Sequence, residues 1–110
     1  MSASWSKRAS LYDGPRAVGG SLTVGGGRLR FEAHAFDKAL KGREIDVALE
    51  TVHRLTLTTR SVFTPRRHVL VETREGVRAR FLVNGAKDVL RALARDVRAA
   101  GSDPEIEGLD

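Results

Sequence analysis

Residues 77–97 read VRARFLVNGAKDVLRALARDV, and the spacing of apolar residues changes within this stretch. Up to Asn84 the apolar residues occupy every second position, as in a β-strand with one face toward a core. After Asn84 they recur every three or four positions, as on one side of an α-helix: Ala86, Val89, Leu90, Leu93, Ala94, Val97 and Ala100. The sequence therefore predicts a last strand followed by one amphipathic C-terminal helix.

The predicted helix has recognisable ends. Asn84 is a residue type that caps helix N-termini, and Gly101 followed by Pro104 is typical of a helix C-terminus. A helix of about 15 residues is long enough, at about 1.5 Å per residue, to cover one open end of a bent sheet. The polar residues between the apolar ones are expected to face water: Lys87, Asp88, Arg91, Arg95, Asp96 and Arg98.

Upstream of residue 77 the twofold alternation recurs between short connections. Short connections favour antiparallel neighbours, because parallel strands need crossovers of a dozen or more residues. The glycines at 25–27 and the segment 74–76 are predicted turns, and Gly19-Gly20 predicts a bulge or a close backbone approach. A further strand is expected near residues 9–12. The alternating apolar residues are Leu22 and Val24; Leu29, Phe31 and Ala33; Ile45, Val47 and Leu49; Leu55 and Leu57; Val69 and Val71.

These patterns predict a mainly β (α+β) domain. We expect a curved antiparallel sheet or partly open barrel of six or seven strands, capped by one C-terminal α-helix. The expected divisions are an N-terminal arm over 1–8, the domain over 9–101 and an acidic disordered tail over 102–110. The chain of 110 residues fits one such domain.

Composition narrows the functional classes. The chain has no cysteine, its three histidines lack metal-ligand spacing, and no nucleophile elbow, paired-acid motif or phosphate loop is present. We therefore expect a non-enzymatic protein without a cofactor or metal. No apolar run approaches the roughly 18 residues of a membrane span, and the first ten residues are polar. The expected location is cytoplasmic, with peripheral membrane contact as an option.

Charge points to an anionic partner. The net charge is +5, yet the segment 103–110 contains four acidic residues and no basic one. A basic body attracts polyanions such as membrane lipid or nucleic acid. The acidic tail is expected to lie on the basic surface and compete with such ligands. Nucleic acid is the less favoured ligand, since the chain has few aromatic residues for base stacking.

Several short motifs, in order along residues 15–97, resemble a GRAM domain, a branch of the pleckstrin-homology-like superfamily, in the form of a bacterial single-domain protein. The stretch after Leu22 departs from that family's pattern, because it lacks the usual aromatic residue. The resemblance implies a binding or adaptor module without catalytic residues, often associated with lipid. The motifs are Ala17-Val18-Gly19-Gly20-Ser21-Leu22; Arg28-Leu29-Arg30-Phe31 with His34; Ile45-Asp46-Val47; Leu49-Glu50-Thr51-Val52; Thr73-Arg74-Glu75-Gly76 followed by Phe81; and Val89-Leu90 with Leu93.

Three groups of residues are candidates for contact with an anion or lipid. Arg28 and Arg30 resemble the basic strand start with which some pleckstrin-homology domains grip phosphates. The second group is a basic loop in which apolar residues either enter a bilayer or fold back on the core: Arg60, Val62, Phe63, Arg66 and Arg67. The third lies on the late strands: Arg74, Arg78 and Arg80.

Two binding functions follow. The first is contact with anionic lipid headgroups or a membrane-associated partner through this basic surface. The alternative is a protein-interaction adaptor of the same fold, without lipid specificity, that uses a strand edge or helix groove. Self-association through an unprotected sheet edge is a further expectation. Trp5 and Tyr12 either tie the N-terminal arm to the sheet or engage a partner.

Overall fold

The computed structural model describes residues 4–13, 16–33, 44–58 and 67–108. Within these ranges eight strands form one sheet in the order β4-β3-β2-β1-β7-β6-β5-β8, and one helix follows β7. The two end strands are not paired with each other, so the sheet is open. The elements are β1 (Trp5–Asp13), β2 (Arg16–Gly25), β3 (Arg28–Ala33), β4 (Ile45–Ala48), β5 (Val52–Leu57), β6 (His68–Thr73), β7 (Arg78–Val83), α1 (Ala86–Ala99) and β8 (Glu105–Glu107), with a 3₁₀ turn at Leu49–Thr51.

The mainly β architecture with one C-terminal helix is confirmed, but the described sheet has eight strands rather than six or seven. The additional strand is β8, and β1 begins earlier than the strand expected near residues 9–12. Residues 5–8, expected in an arm outside the domain, belong to β1, which pairs with β2 along its whole length. Trp5 packs against the core from this position, which explains why the segment is held in the sheet.

The glycine pair in β2 marks a close backbone approach. A Cβ atom placed on Gly20 would lie 2.2 Å from the Glu32 carbonyl oxygen of β3, so no other residue fits there without movement. The pairing of β1 with β2 runs through Gly19 and Gly20 without a register shift. The close approach is therefore confirmed, whereas the alternative of a bulge is not seen.

The core lies between the inner face of the sheet and α1. Phe31 and Phe81 are fully buried, with ring centroids 5.7 Å apart. On the helix, Leu90 and Leu93 are fully buried and belong to the same apolar cluster. The helical spacing after residue 84 therefore predicted the covering helix correctly.

The start of α1 differs from the prediction. Gly85, at φ 68°, occupies the N-cap position, and no side chain caps the helix. Asn84 instead offers its carbonyl oxygen to Lys7 Nζ at 3.2 Å. The chain turns sharply between β7 and α1, and a left-handed residue is needed for that turn, which glycine adopts without strain.

The prediction of a disordered tail is wrong for residues 102–108. Ser102 is buried and its hydroxyl donates to the Val52 carbonyl oxygen at 2.7 Å. Beyond it, β8 pairs in parallel with the edge of β5, and Ile106 packs against the core. Backbone hydrogen bonds to β5 and the removal of Ile106 from water stabilise this segment as a strand, although most of its residues are polar.

Candidate functional site

Arg28 and Arg30 lie on β3 beside a carboxylate. Arg28 Nε is 2.7 Å from Asp46 Oδ1, and Arg30 Nε is 3.5 Å from the same oxygen. The pairing of β3 with β4 places Arg30 directly opposite Asp46. The hydrogen bond from Arg28 holds the pKa of Asp46 below its usual value, with further help from the charges of both arginines. This pair of arginines is therefore partly neutralised within the domain.

The late arginines are held in different ways. Arg78 Nε lies 3.3 Å from Glu72 Oε1, across the pairing of β7 with β6. Arg74 follows β6 in the hairpin, where its Nη2 lies 3.4 Å from the Ser102 hydroxyl. Arg80 has no carboxylate partner among the described residues.

Arg54, on β5, is occupied by the tail. Its Nη2 donates to Glu105 Oε2 at 3.0 Å, and Glu107 lies 3.8 Å away. These contacts, with Glu105 first, raise the pKa of the guanidinium above its already high value. The acidic tail therefore does lie on a basic residue of the sheet.

Arg60, Val62, Phe63 and Arg66 of the predicted basic loop lie outside the described residues, as does His34. Arg67 immediately precedes β6 and is half-buried. Its Nε atom is buried and has no hydrogen-bond partner among the residues that the structure describes.

One surface of the sheet combines apolar residues with arginines that have no carboxylate partner in the described part of the chain. We call this surface the outer face and define it by Arg8, Tyr12, His68, Arg80 and Leu82, which lie on β1, β6 and β7 on the side away from the core. Arg8 and Arg80 are exposed, whereas Tyr12 and Leu82 are half-buried. A shallow cavity of about 310 Å³ lies at one end of the face, lined in part by Arg8 and Leu82.

His68 is the buried member of the outer face. Its ring centroid lies 4.8 Å from that of Tyr12, which covers it. Burial lowers the pKa of His68, and the charge of Arg80 lowers it further. The ring therefore favours the neutral form within a basic surface.

A second surface lies between β1 and α1. We call it the α1 groove; it has a volume of about 340 Å³, and its walls include Trp5 and Lys7 from β1 and Val89, Ala92 and Arg95 from the helix. Ser4, Ser6 and Asp88 complete the lining.

A buried carboxylate fixes one wall of the α1 groove. Trp5 Nε1 donates to Asp96 Oδ2 at 2.8 Å, and Arg95 Nε lies 3.4 Å from the other carboxylate oxygen. Asp96 was expected to face water, but its side chain is only 9% exposed. The prediction was wrong because the helix polar stripe meets the N-terminal strand at this point.

The first half of β1 has one open edge. Its residues 9–11 pair with β7, but in the described part of the chain residues 5–8 pair only with β2. Backbone N–H and C=O groups alternate between the two sides of a strand. Some backbone groups of residues 5–8 therefore point into the side of the strand where the α1 groove lies.

Arg8 and Asp96 were not predicted from the sequence as members of these surfaces. Trp5 was expected to tie the N-terminal arm to the sheet or to engage a partner, and it packs against the core. Arg8 had a usable signal, because it precedes the alternating pair Ala9 and Leu11 on the opposite side of the strand. The contact of Trp5 with Asp96 joins residues 91 positions apart and had no local signal.

Other types of site can be checked over the same ranges. Residues 4–13, 16–33, 44–58 and 67–108 contain no group of three or more histidine, aspartate or glutamate side chains placed to hold a metal ion. The helix of the described structure is also too short and too polar to cross a membrane.

Comparison with known proteins identifies the fold but no family. No family model matches the chain, and no curated protein matches it. Among solved structures, the C-terminal domain of an unknown protein from Leishmania infantum superposes with a TM-score of 0.69 at 13% identity. The match covers 84% of this chain and 81% of that one. At this identity the likeness concerns the fold alone.

Proposed function

We propose that this domain is a non-enzymatic, pleckstrin-homology-like binding module that contacts anionic lipid headgroups, or a membrane-associated partner, through the outer face. The sheet order supports the fold assignment, since β1–β4 and β5–β7 each form an antiparallel series and α1 covers the core between them. The resemblance of the sequence motifs to GRAM domains agrees with this order.

One observation carries the lipid proposal. Arg8 and Arg80 have no carboxylate partner among the described residues, and both share the outer face with half-buried Tyr12 and Leu82. Basic side chains near an anionic bilayer contribute about 1 kcal/mol each, and apolar side chains at the same surface add to the binding. Arg28, Arg30 and Arg78 contribute less, because internal carboxylates already neutralise them.

Sedimentation with vesicles tests the proposal. Vesicles of phosphatidylcholine mixed with phosphatidylserine are compared with pure phosphatidylcholine, using the full chain and the double variant Arg8→Gln/Arg80→Gln. Loss of two contributions of about 1 kcal/mol lowers the affinity about thirty-fold. The matched control is Arg91→Gln/Arg98→Gln on α1, which removes the same charge away from the outer face.

The control variant is expected to bind like the unmodified domain. Equal losses in both variants would mean that net charge, rather than the outer face, drives binding. Binding that is the same for neutral and anionic vesicles, or absent for both, contradicts the lipid proposal.

The second candidate is a protein-interaction adaptor of the same fold. The observation that favours it is the open edge of β1 over residues 5–8 beside the apolar α1 groove. Extended peptides bind by adding a strand to such an edge, with side chains in an adjacent pocket. If the domain is an adaptor, it sediments with neither kind of vesicle, and the unmodified chain retains a protein partner in a pull-down.

A further inference from the structure

We infer that the α1 groove binds an extended segment of a protein partner in which an apolar residue lies between acidic residues. The inference rests on the adaptor candidate and names the chemistry of its partner. It is independent of the outer face, which lies on other residues of the sheet.

The first half of β1 offers backbone hydrogen-bonding groups to a partner strand. A strand edge with unpaired N–H and C=O groups is a template for another strand. In the described structure β1 has this property over residues 5–8, whereas β7 covers residues 9–11. The open length matches a short added strand of three or four residues, like β8 at the other end of the sheet.

The α1 groove offers a site for one apolar side chain of the partner, which we call the anchor. Trp5, Val89 and Ala92 line the groove, whose exposed lining is mostly apolar. The hydrogen bond from Trp5 Nε1 to the buried Asp96 fixes the indole ring before any partner arrives. A preorganised aromatic wall lowers the entropy cost of binding an apolar side chain. The small side chain of Ala92 leaves room for that anchor.

The charged residues of the α1 groove favour an acidic partner. Lys7 and Arg95 stand on opposite walls of the groove, one on β1 and one on α1. Asp96 offsets part of the charge of Arg95, whose side chain is nevertheless 66% exposed, whereas no carboxylate among the described residues pairs with Lys7. Asp88, the acidic residue of the lining, lies 3.9 Å from Arg91 and is thereby offset. Acidic residues on either side of the anchor complement this arrangement, whereas basic residues meet repulsion.

The domain already holds one strand of this chemistry. Glu105-Ile106-Glu107 forms β8 on the open edge of β5. Its isoleucine packs against the core, and Glu105 bonds Arg54. An acidic, apolar, acidic segment is therefore compatible with strand addition to a basic edge of this sheet.

The probe is a capped peptide with a central isoleucine between two glutamates, flanked by serines. Trp5 is the only tryptophan of the chain, so its emission reports binding at the groove. Anisotropy of a labelled peptide gives the affinity independently. We expect saturable binding with a change in Trp5 emission. Replacing the glutamates by lysine, or the isoleucine by serine, is expected to weaken binding at least about ten-fold.

Two variants on α1 locate the site. Ala92→Glu places a carboxylate and extra volume in the groove and is expected to weaken peptide binding at least about ten-fold. Ala99→Glu makes the same change at an exposed position outside the groove and is expected to leave binding unchanged. Circular dichroism verifies that both variants keep the fold. A peptide with proline beside the isoleucine lacks a backbone donor and tests strand addition.

Each alternative outcome has a definite meaning. If acidic and basic peptides bind equally and Ala92→Glu blocks both, the acidic chemistry is overturned while the adaptor candidate stands. If no peptide binds, or Ala92→Glu binds like the unmodified chain, the groove is not the site. If anionic vesicles rather than peptides change Trp5 emission, the occupant is a membrane. If the chain self-associates in light scattering and truncation after Ser102 abolishes this, the occupant is the tail of a second copy.

Discussion

The contact between Trp5 and Asp96 is the perturbation whose magnitude follows most directly from the structure. It joins the first strand to the last turn of α1, with a 2.8 Å bond between the indole nitrogen and a carboxylate that is 9% exposed. Hydrogen bonds to charged groups contribute about 1.5–3 kcal/mol to stability. Trp5 is half-buried, so water can replace part of the bond, and we expect a value near the lower end.

A double-mutant cycle isolates this value. Trp5→Phe removes the donor, Asp96→Ala removes the acceptor, and the double variant removes both. We expect a coupling free energy of about 1.5 kcal/mol. A change of that size in the free energy of unfolding shifts the thermal unfolding midpoint by about 6–12 °C for a domain of this size.

Urea unfolding followed by far-ultraviolet circular dichroism is the assay, because fluorescence is lost with Trp5. The additive control is Asp96→Ala combined with Leu55→Val, since Leu55 is a core residue of β5, which β7 and β6 separate from β1 in the sheet. Coupling within about 0.3–0.5 kcal/mol of zero for Trp5 and Asp96 would refute the reasoning, since distant sites are additive to that extent.

Three further predictions concern the core, the buried histidine and the tail. Leu90→Ala lowers the free energy of unfolding by about 2–5 kcal/mol, measured in urea, because this side chain is fully buried in the core; a loss below about 1 kcal/mol would place it outside the core. Burial lowers the pKa of His68 from the ordinary histidine value, so the stability that its neutral ring contributes is fully present above that ordinary value and is lost as the pH falls through the folded pKa. His68→Phe keeps a ring against Tyr12 and should flatten the stability profile over that pH range; an unchanged profile contradicts the assignment. Truncation after Ser102 removes the carboxylates that contact Arg54 and raises affinity for anionic vesicles at low salt. Unaltered affinity would show that the tail does not compete.

The last strand and the helix were predictable because their signals are local. Burial of Phe81 on β7 and of Leu90 and Leu93 on α1 follows from spacings within a few residues. The turn glycine at 85 was also present in the sequence, but an asparagine beside it resembled a cap. Only the backbone geometry shows which of these two residues is the N-cap. The N-cap is left-handed, which suits Gly85 and leaves the helix without a capping side chain.

Features that depend on distant partners were not predictable. β8 contains one apolar residue, Ile106, and becomes a strand only because the β5 edge is free to pair with it. Asp96 is buried only because Trp5, 91 positions away, reaches it. Neither contact leaves a periodic pattern in the sequence.

The sequence predicted that the arginines lie at solvent-facing positions, but it did not predict which carboxylates they contact. Arg28 and Arg30 meet Asp46 because β3 and β4 pair in a register that places Asp46 opposite Arg30. Within the described ranges Arg80 has no carboxylate partner, because β6 places Leu70 opposite it, whereas Glu72 faces Arg78. Strand register therefore decides which parts of a basic surface stay available to a ligand.

The most direct measurement of the binding function is an amide chemical-shift titration by nuclear magnetic resonance, with micelles of short-chain phosphatidylserine added to the labelled domain. We expect progressive shifts in the outer face, at residues 8–12, 68–70 and 80–82, with small changes along α1. Shifts confined to Arg28, Arg30 and the β3–β4 edge, or no shifts at lipid concentrations that saturate other anion-binding domains, would contradict this expectation.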